Sequence, residues 1–343
     1  MSSEPVGPGQ TEAASAASTP SARLAQKPAG GDSTTTVVVA FVANALVAVA
    51  KTGAAMLTGS ASMLAEAVHS WADTGNEVFL LLADKRSRRP ADLDHPAGFG
   101  REAYVWSMFA AIGLFAVGAG VSLTHGIQEL LDPQPAEDFG IAYAVLAVAF
   151  VLEGVSFVRA VRQARAEARG ARREVVRHVV ITSDPTLRAV VAEDAAALVG
   201  LVVAFAGIAA HQLTGSAVPD AVGSIAIGVL LAVVSVVLVD RNRRFLVGEV
   251  AQPGTRVAVL RLLLDMPQVE RVTYLRLEFV GPRSLYLTAS VDLRGDEREV
   301  DVARRLDELE RAMVDLELVV GAVFTVSPPE ERSLTVPADG AGR

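Results

Sequence analysis

Residues 219–239 read PDAVGSIAIGVLLAVVSVVLV, and residues 240–244 that follow read DRNRR. Beyond Asp220 the run carries no charge for 19 residues. That is about the length an α-helix needs to cross a ~30 Å hydrocarbon layer at ~1.5 Å per residue. A helix is also the form in which one segment satisfies all its own backbone groups in lipid. Residues 240–244, four of them charged, then return the chain to water. Working outward, five earlier stretches have the same character, at 36–57, 60–83, 104–125, 140–161 and 186–209. The second and fifth carry several polar residues but remain apolar enough to span.

The loops between these stretches separate by charge. Lys85, Arg86, Arg88, Arg89 and Arg101 lie between spans two and three, and Arg162, Arg165, Arg169, Arg172, Arg173 and Arg177 between four and five. Arg241, Arg243 and Arg244 follow span six, whereas the three alternate loops hold no Lys or Arg and one of them holds Glu129, Asp132, Glu137 and Asp138. The positive-inside rule places the basic loops and both termini in the cytoplasm.

Composition agrees, with 51% hydrophobic and 20% charged residues. The absence of cysteine rules out disulfides and thiolate metal sites, so any transition metal must be held by histidine or carboxylate. Residues 1–34, rich in Ser, Ala, Pro, Gly and Thr, read as a disordered tail and lack the pattern of a signal peptide. The six spans then occupy 35–245.

From about Gln252 the pattern becomes that of a soluble module, expected over 252–328. A short helical stretch precedes 271–280, where Leu275, Leu277 and Phe279 alternate with polar residues. Leu285, Leu287, Ala289, Val291 and Leu293 alternate again after Gly281-Pro282-Arg283-Ser284, a hairpin loop. An amphipathic helix with Val302, Leu306, Leu309, Met313 and Leu316 on one side leads to a last strand over 319–326. The order αββαβ predicts a small cytoplasmic two-layer domain of ferredoxin-like type, with 329–343 as a second disordered tail.

Ionisable groups inside spans are costly and mark functional sites. His69 and Asp73 in span two are four residues apart, so they stack on one helical face about 6 Å apart in rise and can reach one cation. Asp73 lies ~15 Å and Asp194 of span five ~12 Å from the cytoplasmic helix end, so the two are nearly level. Lys51 and Glu66 each lie ~9 Å from the outer end of their spans, which predicts an ion pair with a structural or gating role. Asn44, Glu153 and Glu193 fall near the level of Asp194, with Asn76 and Glu77 slightly below, as a cation-attracting vestibule or as interhelical contacts. Asp220 suits the positive end of its own helix. His95, His125, His178 and His211 read as surface residues. Gly113, Gly118, Gly120, Ser224 and Gly228 suit close helix packing.

The segments TGSASMLAEAVHSWADTGNE (58–77), HPAGFGREAYVWSM (95–108), GVSLTHGIQELLDPQP (120–135), SDPTLRAVVAEDAAALVG (183–200) and PDAVGSIAIGVLL (219–231) resemble, in order, those of the cation diffusion facilitator family. AEAVHSWAD and AEDAAALVG are most similar to its zinc transporter nine branch. The resemblance implies proton-coupled transport of zinc or a related divalent metal, a six-span bundle, a C-terminal αββαβ domain and a homodimer. It implies His69 and Asp73 as ligands from span two and Asp194 from span five. The family's usual histidine four residues before Asp194 is Val190 here, which leaves Glu193, Glu153, Asn44 or water as fourth ligand.

The expected function is therefore export of a divalent cation from the cytoplasm in exchange for protons, by an integral protein of the cell (plasma or inner) membrane. Zinc fits best, and Mn²⁺, Fe²⁺ or Co²⁺ also suit one imidazole with carboxylates. No prosthetic group is expected. The expected partners are the metal ion, protons, the lipid bilayer and a second copy of the chain, with no nucleic acid. Two alternatives stand beside this reading. One is an intramembrane metal-dependent hydrolase, which the lack of a His-Glu-x-x-His pair disfavours. The other is a transport-dead membrane adaptor, suggested by Val190.

Overall fold

The computed structural model describes residues 34–133, 138–170 and 173–336. The expected N-terminal tail thus lies almost wholly outside the described residues. Six long helices form the bundle: α1 (Thr34–Thr58), α2 (Ala61–Ser87), α3 (Glu102–Leu131), α4 (Phe139–Gly170), α6 (Pro185–Thr214) and α7 (Val218–Val247), with a short α5 (Val175–Ile181) between α4 and α6. Four of them, α3, α4, α6 and α7, are long and apolar enough on their own to cross a membrane. α1 and α2, 25 and 27 residues long, complete the set. The α2 sequence is interrupted by Glu66, His69, Asp73, Asn76 and Glu77, which face its neighbours instead of forming an apolar girdle.

Local chemistry sets the helix ends. Ser60 precedes α2 and its Oγ accepts from the Met63 N–H at 3.1 Å, while Asp184 Oδ1 accepts from Thr186 and Leu187 N–H, both at 3.1 Å, with Pro185 opening α6. These side chains occupy backbone donors that a helix start leaves unpaired. α7 runs to Gly248, whose φ of 114° closes the helix in a conformation other residues rarely adopt.

α3 contains a π-helical stretch, Leu114–Ala119, in its middle. Along this helix and α7 the packing is close: a Cβ on Gly228 would sit 2.8 Å from Leu123 Cγ, and one on Gly126 would sit 2.9 Å from the Ala221 carbonyl oxygen. Ser224 Oγ donates to the Ser122 carbonyl at 2.9 Å across the same seam. Gly118 shares this seam, whereas Gly113 and Gly120 have room for a methyl group.

The C-terminal domain comprises α8 (Pro253–Leu264), β1 (Val269–Gly281), β2 (Ser284–Leu293), α9 (Glu299–Val314) and β3 (Val319–Val326). The sheet order is β1-β2-β3, with β1 antiparallel and β3 parallel to β2. One face of the strands, with Val272, Leu287, Ala289 and Val291, meets Leu263 of α8 and Leu309 and Met313 of α9 in a fully buried core. The chain after β3 stays with this domain through Val336. Leu334 N–H donates to the Val272 carbonyl at 2.7 Å, and Arg271 reaches the Glu331 carbonyl at 2.7 Å. Only 337–343 of the tail expected from 329 lie outside the described residues.

The β1–β2 turn plugs into the bundle. Gly100 and Gly281 meet so closely that a Cβ on either would come within 2.6–2.8 Å of the other's backbone region. Arg283 donates to Glu167 of α4 at 2.7 Å, and its N–H donates to Ser183 Oγ at 3.1 Å. Arg101 pairs with Glu278 at 2.5 Å beside this contact.

Candidate metal centre

Helical spacing brings His69 and Asp73 together, because residues four apart lie on one face. His69 Nε2 is 3.3 Å from Asp73 Oδ2, yet the approach is off-line for a hydrogen bond. Both ring nitrogens of His69 and Asp73 Oδ1 therefore have no hydrogen-bond partner, although His69 is only 1% exposed. A buried, unpaired imidazole costs free energy unless something else binds it. Asp73, with 23% of its side chain exposed, gives this pair its opening to the surroundings.

Asp194 lies on α6 and is within electrostatic reach of Asp73, but its Oδ2 accepts from Ser156 Oγ of α4 at 2.9 Å. Glu193 Oε1 accepts from Asn76 Nδ2 at 3.1 Å, and Glu77 Oε1 from Asn44 Nδ2 at 2.5 Å. Among the described residues no group of three His, Asp or Glu side chains converges closely enough to hold a metal ion. The geometry thus joins His69 to Asp73 and leaves Asp194 and Glu193 on hydrogen bonds of their own. Val190 packs with Leu80, Ala189 and Leu238 in an apolar patch, so the position one turn before Asp194 offers no donor.

Lys51 is fully buried and lies between two carboxylates, 3.0 Å from Glu66 Oε2 and 2.7 Å from Glu153 Oε1. Glu153 is therefore engaged with α1 through its Oε1, with its Oε2 unpartnered. Glu66 Oε1 also has no partner and presses on α6 at Gly200, where a Cβ would lie 2.2 Å from it. Only glycine at that position lets the carboxylate in.

Sequence reasoning missed several of these partners. The Lys51–Glu153 contact and the Ser156 hydroxyl both come from α4, where Glu153 and Ser156 stand three apart; that spacing was the available signal. Asp220 lies in the first turn of its own helix α7, as expected, and its carboxylate also accepts from Ala61 N–H at 2.8 Å and Ser62 N–H at 3.3 Å, so it caps the start of α2 as well. His178 and His211, expected at the surface, are buried at 7% and 6% exposure, His178 3.4 Å from Glu167 and His211 against Phe139. His95 is exposed, 3.0 Å from Asp92.

Around the His69–Asp73 pair the bundle of membrane-crossing helices sets, among the described residues, six carboxylates (Glu66, Asp73, Glu77, Glu153, Glu193, Asp194) and the Lys51 ammonium, a surplus of negative charge suited to cations. A family model described as the cation efflux transmembrane domain matches residues 37–247. The chain belongs to that family of cation transporters, the cation diffusion facilitators, and is an integral membrane protein. It is 37% identical over 259 residues to a protein of Xenopus laevis named proton-coupled zinc antiporter SLC30A9, mitochondrial, covering 76% of this chain and 46% of that one. The human protein of the same name is 35% identical over 259 residues, again 76% of this chain and 46% of its own. Metal tolerance protein C4 of Arabidopsis thaliana is 33% identical over 259 residues, 76% of this chain and 57% of that one. The chain thus spans about half the length of these curated relatives.

Proposed function

We propose that this chain exports a divalent cation, zinc foremost, in exchange for protons, by alternating access through the bundle. The observation that carries the reading is the His69–Asp73 pair, with three buried donor atoms that no protein group satisfies. Support comes also from the relatives, whose names describe proton-coupled zinc antiport. Imidazole and carboxylate bind a metal only when deprotonated, so one site can hold metal or protons but not both fully. The surplus of interior carboxylates over Lys51 supplies the demand for one or the other.

In this reading His69 and Asp73 bind first, from the side to which Asp73 opens. Asp194 leaves Ser156 to become the third ligand, and Glu193, Glu153, Asn44 or water completes the shell. Lys51 and Glu66 hold α1 to α2 outside that shell. Manganese, iron(II) and cobalt(II) suit the same donors. The metal is cargo, and no prosthetic group is involved. Both termini face the cytoplasm by the positive-inside rule, and two copies form the working unit. Neither the hydrolase nor the adaptor alternative finds support among the relatives. Nor does the cell membrane expected from sequence, since the SLC30A9 relatives carry mitochondrial names.

The test is zinc flux in proteoliposomes with an imposed pH gradient. Asp73→Ala should abolish metal flux and metal-stimulated proton movement while the protein remains folded. Zinc binding to the unaltered chain should weaken steadily as pH falls, since protons compete for the same donors. Flux at the unaltered rate in Asp73→Ala would overturn the site.

A further inference from the structure

A cavity of about 220 Å³ lies where α5, the end of α7, the connection to α8 and strand β1 meet. Arg177, Arg241 and Arg244 line it, with Phe245 and Phe279 in edge-to-face contact as its aromatic part and Glu249 as the one acidic group on its wall. Arg244 is already paired with Asp240 at 3.0 Å. Among the described residues neither Arg177 nor Arg241 has an acidic partner. The cavity therefore presents two guanidinium groups outside any ion pair, with Glu249 as the single carboxylate facing three arginines.

Its surroundings are apolar where they leave the protein. Val176 on α5 is 77% exposed and Val247 at the end of α7 is 78% exposed, with Val250 also exposed beside them. α5 thus sets bare valines next to Arg177, and the α7 terminus sets one next to Arg241 and Arg244. Arginine prongs flanked by exposed aliphatic groups, at the level where a spanning helix leaves the hydrocarbon, match a lipid with a negative phosphate and acyl chains. A free anion would use the arginines but not the valines.

We propose that this cavity binds the headgroup of an anionic phospholipid of the leaflet facing the C-terminal domain. Its phosphate lies on Arg177 and Arg241 and its chains lie along Val176 and Val247. The lipid bridges α5 and α7 to the connection that leads into the C-terminal domain, so bilayer composition bears on how firmly that domain is seated.

The experiment uses the full chain in detergent micelles doped with equal mole fractions of phosphatidylglycerol or phosphatidylcholine. Retained lipid is counted by native mass spectrometry, and melting is followed by tryptophan emission. Each arginine near an anionic headgroup is worth about a fivefold factor in binding. The unaltered chain should retain phosphatidylglycerol over phosphatidylcholine, and Arg177→Gln/Arg241→Gln should lower that preference by up to about 25-fold with unchanged melting in phosphatidylcholine. Should the double variant fold poorly, Arg177→Gln alone, at an exposed position, should lower it about fivefold. Equal retention of both lipids by the unaltered chain would overturn the proposal, as would an undiminished preference in the variants. Displacement of phosphatidylglycerol by inorganic phosphate at matched ionic strength would assign the cavity to a free anion and overturn the headgroup reading.

Discussion

Replacing Lys51 with methionine isolates the most deeply buried charge in the bundle. The ammonium lies 3.0 Å from Glu66 and 2.7 Å from Glu153, and the side chains of Lys51 and Glu66 are wholly inaccessible. Methionine keeps most of the volume and removes the cation, leaving two carboxylates facing each other without compensation. Breaking a buried pair in this way costs about 3–5 kcal/mol. Glu153, 17% exposed, recovers some solvation, which places the expected loss toward the lower figure. The triple variant Lys51→Met/Glu66→Gln/Glu153→Gln removes the stranded charges as well, and its cost should fall to the 1–3 kcal/mol typical of unsatisfied buried polar groups. Denaturant titration in mixed micelles can follow this through Trp71, whose indole N–H donates to Thr52 next to Lys51 at 3.0 Å. If Lys51→Met loses less than about 1 kcal/mol, or the triple variant is less stable than the single one, the charges are not held as described.

Gly200→Ala should drive its new methyl into Glu66, 2.2 Å away at the nearest, and destabilise by about 1–3 kcal/mol. Shortening the acid in Gly200→Ala/Glu66→Asp should recover part of that loss in the same titration, and no recovery would place the strain elsewhere. Asp220→Ala uncaps α2, so amide exchange at Ala61 and Ser62 should quicken by the factor matching about 0.5–2 kcal/mol, measured by hydrogen–deuterium exchange.

How legible the molecule is from its sequence depends on the range of the interaction concerned. The spans were visible because apolar length is a property of one segment. Their ends were underestimated because helices continue beyond lipid through charged residues, as α7 does from Asp240 to Val247. The His69–Asp73 pairing was visible because helix geometry alone sets it. The αββαβ order was visible because strand alternation and helical periodicity are local signals. Partners on other helices were not: the Ser156 hydroxyl on Asp194, the Glu153 carboxylate on Lys51 and the Asp220 cap on α2 depend on how helices far apart in sequence rotate against one another. The docking of Arg283 against Glu167 belongs to the same class, since a hairpin loop read alone says nothing of what it touches. The π-helical stretch in α3 was equally hidden, because nothing in the composition of Leu114–Ala119 marks it.

That stretch has a consequence for chain length. Ser122 and Gly126 follow Gly118 at steps of four, each of which overshoots a turn of ordinary helix by about 40°. A wide turn holding one extra residue at Leu114–Ala119 sets the helix back about its axis before α3 reaches its contacts with Ser224 and Gly228. Removing one residue inside 114–119 would therefore tighten the wide turn into an ordinary one and leave both halves of the helix facing their present neighbours. Removing one anywhere between 120 and 131 would swing every later side chain about 100° around the axis and carry Gly126 off its seat on Ala221. The helix thus tolerates a deletion in one short window and nowhere beyond it.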